Sequence, residues 1–571
     1  MWESGKILRF LVFYSMLKEK GVAAMKCTEC QNEIPKGSVF CPICGSAQFE
    51  ETVDFAVQPE PVAESIEEKE EPVAEFPEKP RRKVKKKWWI LATACLLLAA
   101  VAAVVIFTGR RPGYGAYYAG GSTYLTDLSD GEPVMLMEYG SCTGLVMTED
   151  QNHLFYQGIK AAGQGRGLYH LNLRTSSGEP ELLAENVSLF YVNDKGTRVA
   201  YLRDGKLYVH DMDSEKLIAE SVVSFLCDED FDTFAYSQGS FVTSGQMAVI
   251  GQVWYFKDGD AQARVLGDGG TDVRILHLAE DGKRMVYSVG DRLYVWENDT
   301  DTLIAENANV ATSVYEDGSF CYCGIDAAGG RKWYFYNGEK SIEIAATANA
   351  GMIPGTQPML SWQDASGEKN YVSIRDRVLE IPLKNADGIT LSEDGRRICI
   401  TSWGDDGKRD LYCASLSSEG LGQLQLLAQD ERQCQVWFVG ERLYYWTGEP
   451  WKQGTLYCDG EKILQDVKME LLVHPETGTL LVPGKETSKF ETEVFMVRHG
   501  EVIQLTDKGR YLRFASNGDA LVGLNSVGDI AQLWCFDRNG KGKLLAEDVT
   551  RVLAITKPAR PGSQDYGWIY G

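Results

Sequence analysis

The chain has 571 residues, a formal net charge of −23, 44% hydrophobic residues and 58 glycines. That length exceeds one ordinary domain, and the apolar share is enough for a packed core. A chain this acidic is a poor general binder of nucleic acid, because phosphate attraction needs clustered Lys and Arg, so no nucleic-acid partner is expected.

Residues 1–24 form an extension of uncertain role. Their apolar run, Ile7 to Tyr14, is too short to cross a bilayer. We read Met25 as the start of the native chain, which makes MKCTEC its first residues. Residues 25–46 carry Cys27-x-x-Cys30 and, after ten residues, Cys41-x-x-Cys44. Each pair makes a tight knuckle that points two sulfurs at one ion, with Pro42 and Gly45 helping the second turn. Two knuckles supply four thiolates in tetrahedral geometry, which suits one structural zinc ion and leaves no open position for a catalytic water. The doubled spacing favours metal over a redox dithiol. The stretch resembles the zinc-ribbon modules at the N-termini of many bacterial membrane proteins, where the CPxCG knuckle recurs. The resemblance covers about twenty residues and implies zinc at these four cysteines, but no reaction. A docking role toward a cytoplasmic protein partner fits, since thiolates stay reduced there.

Residues 47–87 are an acidic Pro/Glu/Val linker without apolar periodicity, an expected disordered spacer. It ends at 81–87 with six cations in seven residues. Residues 88–107 follow, twenty without a charge, starting at Trp88 and Trp89. As a helix they reach about 30 Å, the thickness of a bilayer's hydrocarbon core. The cations precede the span and only Arg110 and Arg111 follow it, so the N-terminus is expected in the cytoplasm and the remainder outside.

Residues 112–571 repeat. A strand with Leu-Tyr or a similar pair recurs in GLYHLN (Leu168), KLYVHD (Leu207), RLYVWE (Leu293), DLYCAS (Leu411), TLYCDG (Leu456) and QLWCFD (Leu533). Looser copies follow Tyr124, Val253, Trp333, Tyr371 and Val494. The mean spacing of these eleven copies is about 41 residues, that of a four-stranded propeller blade. Turns of Glu-Asp-Gly type precede the signature, as in AEDGKRMVYS (Glu280) and SEDGRRICI (Glu393), and apolar strands such as TLIAENA (Leu303) follow it. The expected fold is mainly β, either one large propeller or two in tandem, with residues from both ends of the region completing one blade. The pattern resembles the propellers of the TolB and dipeptidyl-peptidase type, in which SxDG turns recur. That resemblance carries no functional residues across.

No GxSxG elbow, HExxH or P-loop occurs. His170 and His210 are read as equivalent positions of consecutive Leu-Tyr strands, a repeat drift rather than a metal pair. The acidic runs at 227–232 and 298–301 are read as turn chemistry rather than calcium loops. Nine cysteines fall in the repeat region, and Cys399, Cys413 and Cys535 are expected to act as small apolar strand residues. One aromatic patch, Trp437, Tyr444, Tyr445, Trp446 and Trp451, is a candidate for stacking on a sugar or gripping a peptide, against the alternative of packing between blades. The expectation is a non-enzymatic, single-pass membrane protein whose outer propeller binds an envelope ligand or protein. The alternative is a surface hydrolase or lyase with its site in the propeller channel.

Overall fold

The computed structural model describes residues 24–26, 33–35 and 113–558, except 130–131, 160–165, 175–177, 212, 244–246, 261, 311–313, 327, 347–349, 354–356, 405, 450, 489–490 and 528–529. The four ribbon cysteines, the linker and the expected span at 88–107 lie outside the described residues. Among the described residues, no helix is long and apolar enough to cross a membrane. The chain divides into two compact units, Met1–Pro112 and Gly113–Gly571.

The β body from Gly113 onward is built from repeated four-stranded antiparallel units, a propeller-like pattern. Eight separate sheets supply units 1 to 8, in order 141–184, 187–219, 222–271, 273–305, 308–345, 350–381, 386–431 and 433–467; unit 1 gains a fifth strand, Ile555–Thr556, parallel to Ser141–Met147, and unit 7 gains the short Gly420–Leu421. A ten-stranded sheet supplies three more, because two long strands each serve two units. Glu501–Phe514 pairs through its first half with Glu491–Arg498 and through its second with Ala520–Val527. Gly542–Leu553 pairs first with Ile530–Phe536 and then with Tyr114–Ala119. Unit 11 therefore combines one strand from the C-terminal side with three from the N-terminal side: Tyr114–Ala119, Ser122–Asp127 and Val134–Met137. The N-terminal share thus includes a second strand that the Leu-Tyr and Leu-rich patterns did not mark.

The Leu-Tyr strand is the third of its unit, and side-chain alternation explains its two residues. Leu168, Leu207, Leu293, Leu411, Leu456 and Leu533 are all 1% exposed or less. Each enters the apolar cluster shared with the following unit. In four of the six, the tyrosine beside it points to the preceding unit and stacks on an aromatic directly across the strand pair. Tyr156–Tyr169, Tyr201–Tyr208, Tyr287–Tyr294 and Tyr445–Tyr457 stack with centroids 4.8–5.6 Å apart. Both sheet faces are therefore buried, and such cross-strand pairs contribute about 0.2–1 kcal/mol each beyond simple burial. A further cluster joins unit 11 to unit 1 through Ala116, Leu136 and Leu553 against Leu145, Leu154 and Tyr156.

The Asp-Gly turns join first and second strands. In unit 4, Gly282 N donates to Ala279 O at 2.9 Å, Ala279 N donates to Arg284 O at 2.9 Å, and Asp281 accepts from Lys283 N at 3.0 Å. Gly282 is left-handed, φ 66°, and a Cβ there would lie 2.6 Å from Thr233 Oγ1 of unit 3. Gly196 repeats the arrangement, φ 65°, with its Cβ position 2.5 Å from Thr148 Cγ2 of unit 1. The glycine is thus required twice over, by backbone hand and by the unit next door. The acidic run at 227–232 is such a turn. Asp228 accepts from Asp232 N and Thr233 N, while Asp230 and Asp232 pair with Lys195 and Arg198 of unit 2.

Gly282→Ala should cost about 2–3 kcal/mol in chemical denaturation, since it adds a steric clash to the strain. Gly205 is also left-handed but has open space around it, so Gly205→Ala should cost only about 1 kcal/mol. Equal losses would show that the contact between units contributes nothing.

Candidate functional sites

The ribbon is built on a hairpin. Ala24–Lys26 pairs antiparallel with Glu33–Pro35, closing on Lys26 opposite Glu33. The six-residue loop between them begins with Cys27 and contains Cys30. In the sequence the first cysteine pair falls between these two strands, and a four-thiolate donor set fits zinc. Among the described residues, no group of three or more His, Cys, Asp or Glu could hold a metal ion.

The aromatic patch is divided by its strand. Tyr444, Tyr445 and Trp446 are 0–1% exposed in Arg442–Gly448, the second strand of unit 8. Tyr445 takes the position that Tyr156, Tyr201 and Tyr287 hold in other units, facing unit 7. Tyr444 and Trp446 face unit 9, where Tyr444 Oη accepts from Gly500 N at 3.1 Å, while Trp446 Nε1 donates to Val467 O at the end of unit 8's own last strand, 3.0 Å away. Trp437 is half-buried against the same cluster. These four pack between units and do not form a loop mouth. Trp451 alone is open, 91% exposed.

A histidine cluster lies where units 1 and 2 meet. His153 Nδ1 and His170 Nε2 are 2.9 Å apart, so one nitrogen donates and the other accepts. Their rings stack, and His170 also stacks on Phe155, 4.7 Å away. The strand register explains the meeting: His170 stands opposite Phe155, and His153 lies two residues from Phe155 on the same face. His170 and His210 are not equivalent. Tyr169 pairs with Tyr156 and Tyr208 with Tyr201, so Val209 is the counterpart of His170. The one-residue offset turns His210 to the opposite face, toward unit 1. Burial pulls His170 down to about 4, helped by the charges of His153 and His210. Burial also lowers His153, against the pull of Asp150. Both rings are therefore neutral at pH 7. His153 was missed in the sequence, although its two-residue spacing from Phe155 signals a shared face.

A second feature is a cavity of 280 Å³ lined by Tyr118, Thr123, Ser141, Cys142, Thr550, Arg551 and Leu553, where units 11 and 1 meet. Its lining carries one cation and no carboxylate. Burial pushes the Cys142 thiol up to about 12, so it is a neutral wall rather than a nucleophile.

A histidine lowered by the fold stays neutral there while the unfolded chain takes up a proton. Its stabilisation is complete above about pH 6.5 and is lost as the pH falls toward 4. Thermal midpoints should therefore fall more between pH 7 and pH 4.5 in the native protein than in His170→Gln. Parallel falls would exclude His170 as the source.

A zinc-ribbon domain matches at residues 26–48. Comparison with curated proteins returned no match. Similar solved structures include a eukaryotic initiation factor, 8% identical, covering 78% of this chain and 99% of that one, TM-score 0.35. The β-propeller domain of the Trilobed protease from Pyrococcus furiosus is 15% identical, covering 57% and 97%, TM-score 0.25. Porphyromonas gingivalis dipeptidyl peptidase 4 is 12% identical, covering 73% and 60%, TM-score 0.34. At these scores the likenesses carry no argument about what this chain does. The established parts are a zinc-ribbon domain and a mainly β, propeller-like body.

Proposed function

We propose that this is a single-pass membrane protein whose β body closes into one eleven-unit ring outside the membrane and acts by binding. The observation that carries this reading is the pairing of Gly542–Leu553 with Tyr114–Ala119. It supports a single rigid body with no open sheet edge at the chain ends, the kind of scaffold that presents loops and cavities to a ligand. The Asp-Gly turns support our reading of a TolB-type propeller. The ligand site we favour is the cavity beside Arg551, whose one cation and lack of carboxylates suit an anionic group that the rest of an acidic chain repels. The ribbon holds one structural zinc through Cys27, Cys30, Cys41 and Cys44 and docks a cytoplasmic protein. The order of basic run, apolar stretch and β body supports the orientation.

A hydrolase or lyase is the second reading, favoured by one observation. The His153–His170 pair is hydrogen-bonded at 2.9 Å and neutral at pH 7, the imidazole form that a general base uses.

Protease treatment of intact cells should remove a C-terminal tag and spare an N-terminal one. The reverse result would place the β body in the cytoplasm. Purified protein should carry about one zinc per chain, and Cys27→Ser with Cys30→Ser should abolish it. Undiminished zinc in that variant would reject the assignment.

A further inference from the structure

Of the nine cysteines in the repeat body, eight are buried and Cys413 is half-buried. Two of them face each other. Cys399, in Arg397–Trp403, lies directly opposite Cys413, in Arg409–Ser417. Hydrogen bonds at the two ends of the hairpin settle the kind of pair this is. Gly404 N donates to Lys408 O at 2.7 Å, and Leu416 N donates to Arg396 O at 2.6 Å. Bonded and non-bonded pairs alternate along an antiparallel ladder, so counting from either end makes Cys399–Cys413 a non-hydrogen-bonded pair. Such pairs hold their Cα atoms about 4.5 Å apart, at the short end of what a disulfide spans.

The surroundings separate the two thiols. Cys399 is 1% exposed in the cluster between units 7 and 8, beside Cys434, Leu443 and Tyr445, and Cys413 packs at its margin. The facing Cys413 sulfur and burial push the Cys399 thiol up. The facing Cys399 thiol holds Cys413 below the ordinary thiol value, against burial and with help from Arg397. The more acidic sulfur is thus the one that solvent reaches.

We propose that Cys399 and Cys413 form a redox-reactive dithiol that closes into a cross-strand disulfide by exchange with a small-molecule disulfide. The Cys413 thiolate attacks one sulfur of the oxidant, forms a mixed disulfide and expels the first thiolate. Cys399 then loses its proton to solvent, and its sulfur attacks the Cys413 sulfur and expels the second. Two protein thiols are oxidised, and one small disulfide is reduced to two thiols, which take up the released protons. Closure at the short end of the Cα range makes the bond easily reduced, as in a reversible site rather than a permanent staple.

The test uses the full chain, treated with oxidised glutathione or with dithiothreitol, then alkylated and digested with trypsin. Cleavage after Arg397, Lys408, Arg409 and Arg432 puts Cys399 alone in 398–408 and Cys413 alone in 410–432. The expected result is a joined pair of these peptides after oxidation, with two fewer alkylatable thiols per chain, and its release by dithiothreitol. In the reduced protein, Cys413 should alkylate at least about ten-fold faster than Cys399. Cys399→Ala should leave Cys413 trapped as the glutathione mixed disulfide. Full alkylation of both peptides after oxidation would overturn the proposal. So would a link from Cys413 to Cys434, a stable mixed disulfide in the native sequence, or the same pairing preference in guanidinium-unfolded chain.

Discussion

Everything in the β body depends on how closely one unit can approach the next. The Asp-Gly turn sets that distance. Its left-handed residue lies against the preceding unit, so close that at Gly196 and Gly282 no Cβ fits. Two turns do without glycine: Gln151 and Phe231 take the left-handed position, at φ 57° and 60°. Phe231 compensates by burial, 1% exposed within the cluster between units 2 and 3. The turn is therefore both a local device and a spacer, and the apolar interfaces fill the gap that it leaves.

Behind the turns, burial on both sheet faces makes the repeat self-consistent. Leucine looks forward to the next unit and tyrosine looks back. A unit by itself would leave both faces wet, which is why such units occur only in series. The acidic residues at the turns follow the same logic. Much of the negative charge near 227–232 is absorbed by turn amides and by Lys195 and Arg198 of the preceding unit. Isolated surface pairs of this kind contribute little, about 0–1 kcal/mol each, so they place the turns more than they stabilise them.

Much of the fold was legible in the sequence because the repeat signals are local. All eleven Leu-Tyr copies are third strands, and the strand, turn, strand, loop, strand, turn, strand order holds in the described units. What escaped depends on which face a residue occupies and on what stands opposite. Tyr444, Tyr445 and Trp446 read as a patch because they are consecutive, but a strand sends consecutive residues to opposite interfaces. His210 looked equivalent to His170 until register separated them by one residue, which reverses the face. The Cys399–Cys413 encounter needs the hairpin's pairing, which spacing alone does not supply. The ribbon is the opposite case: its chemistry is written in adjacent spacings, and a zinc-ribbon domain matches there.

Glu501–Phe514 and Gly542–Leu553 differ from all other strands in belonging to two units each. Elsewhere, neighbouring units meet through side chains and a connecting loop, so one can loosen while its neighbour holds. Along these two strands the backbone ladder itself runs on from unit to unit. Fraying that begins in unit 10 pulls hydrogen bonds out of units 9 and 11 together. These three of eleven units behave as a single cooperative splint, which ties the first strand of the β body to its last long one.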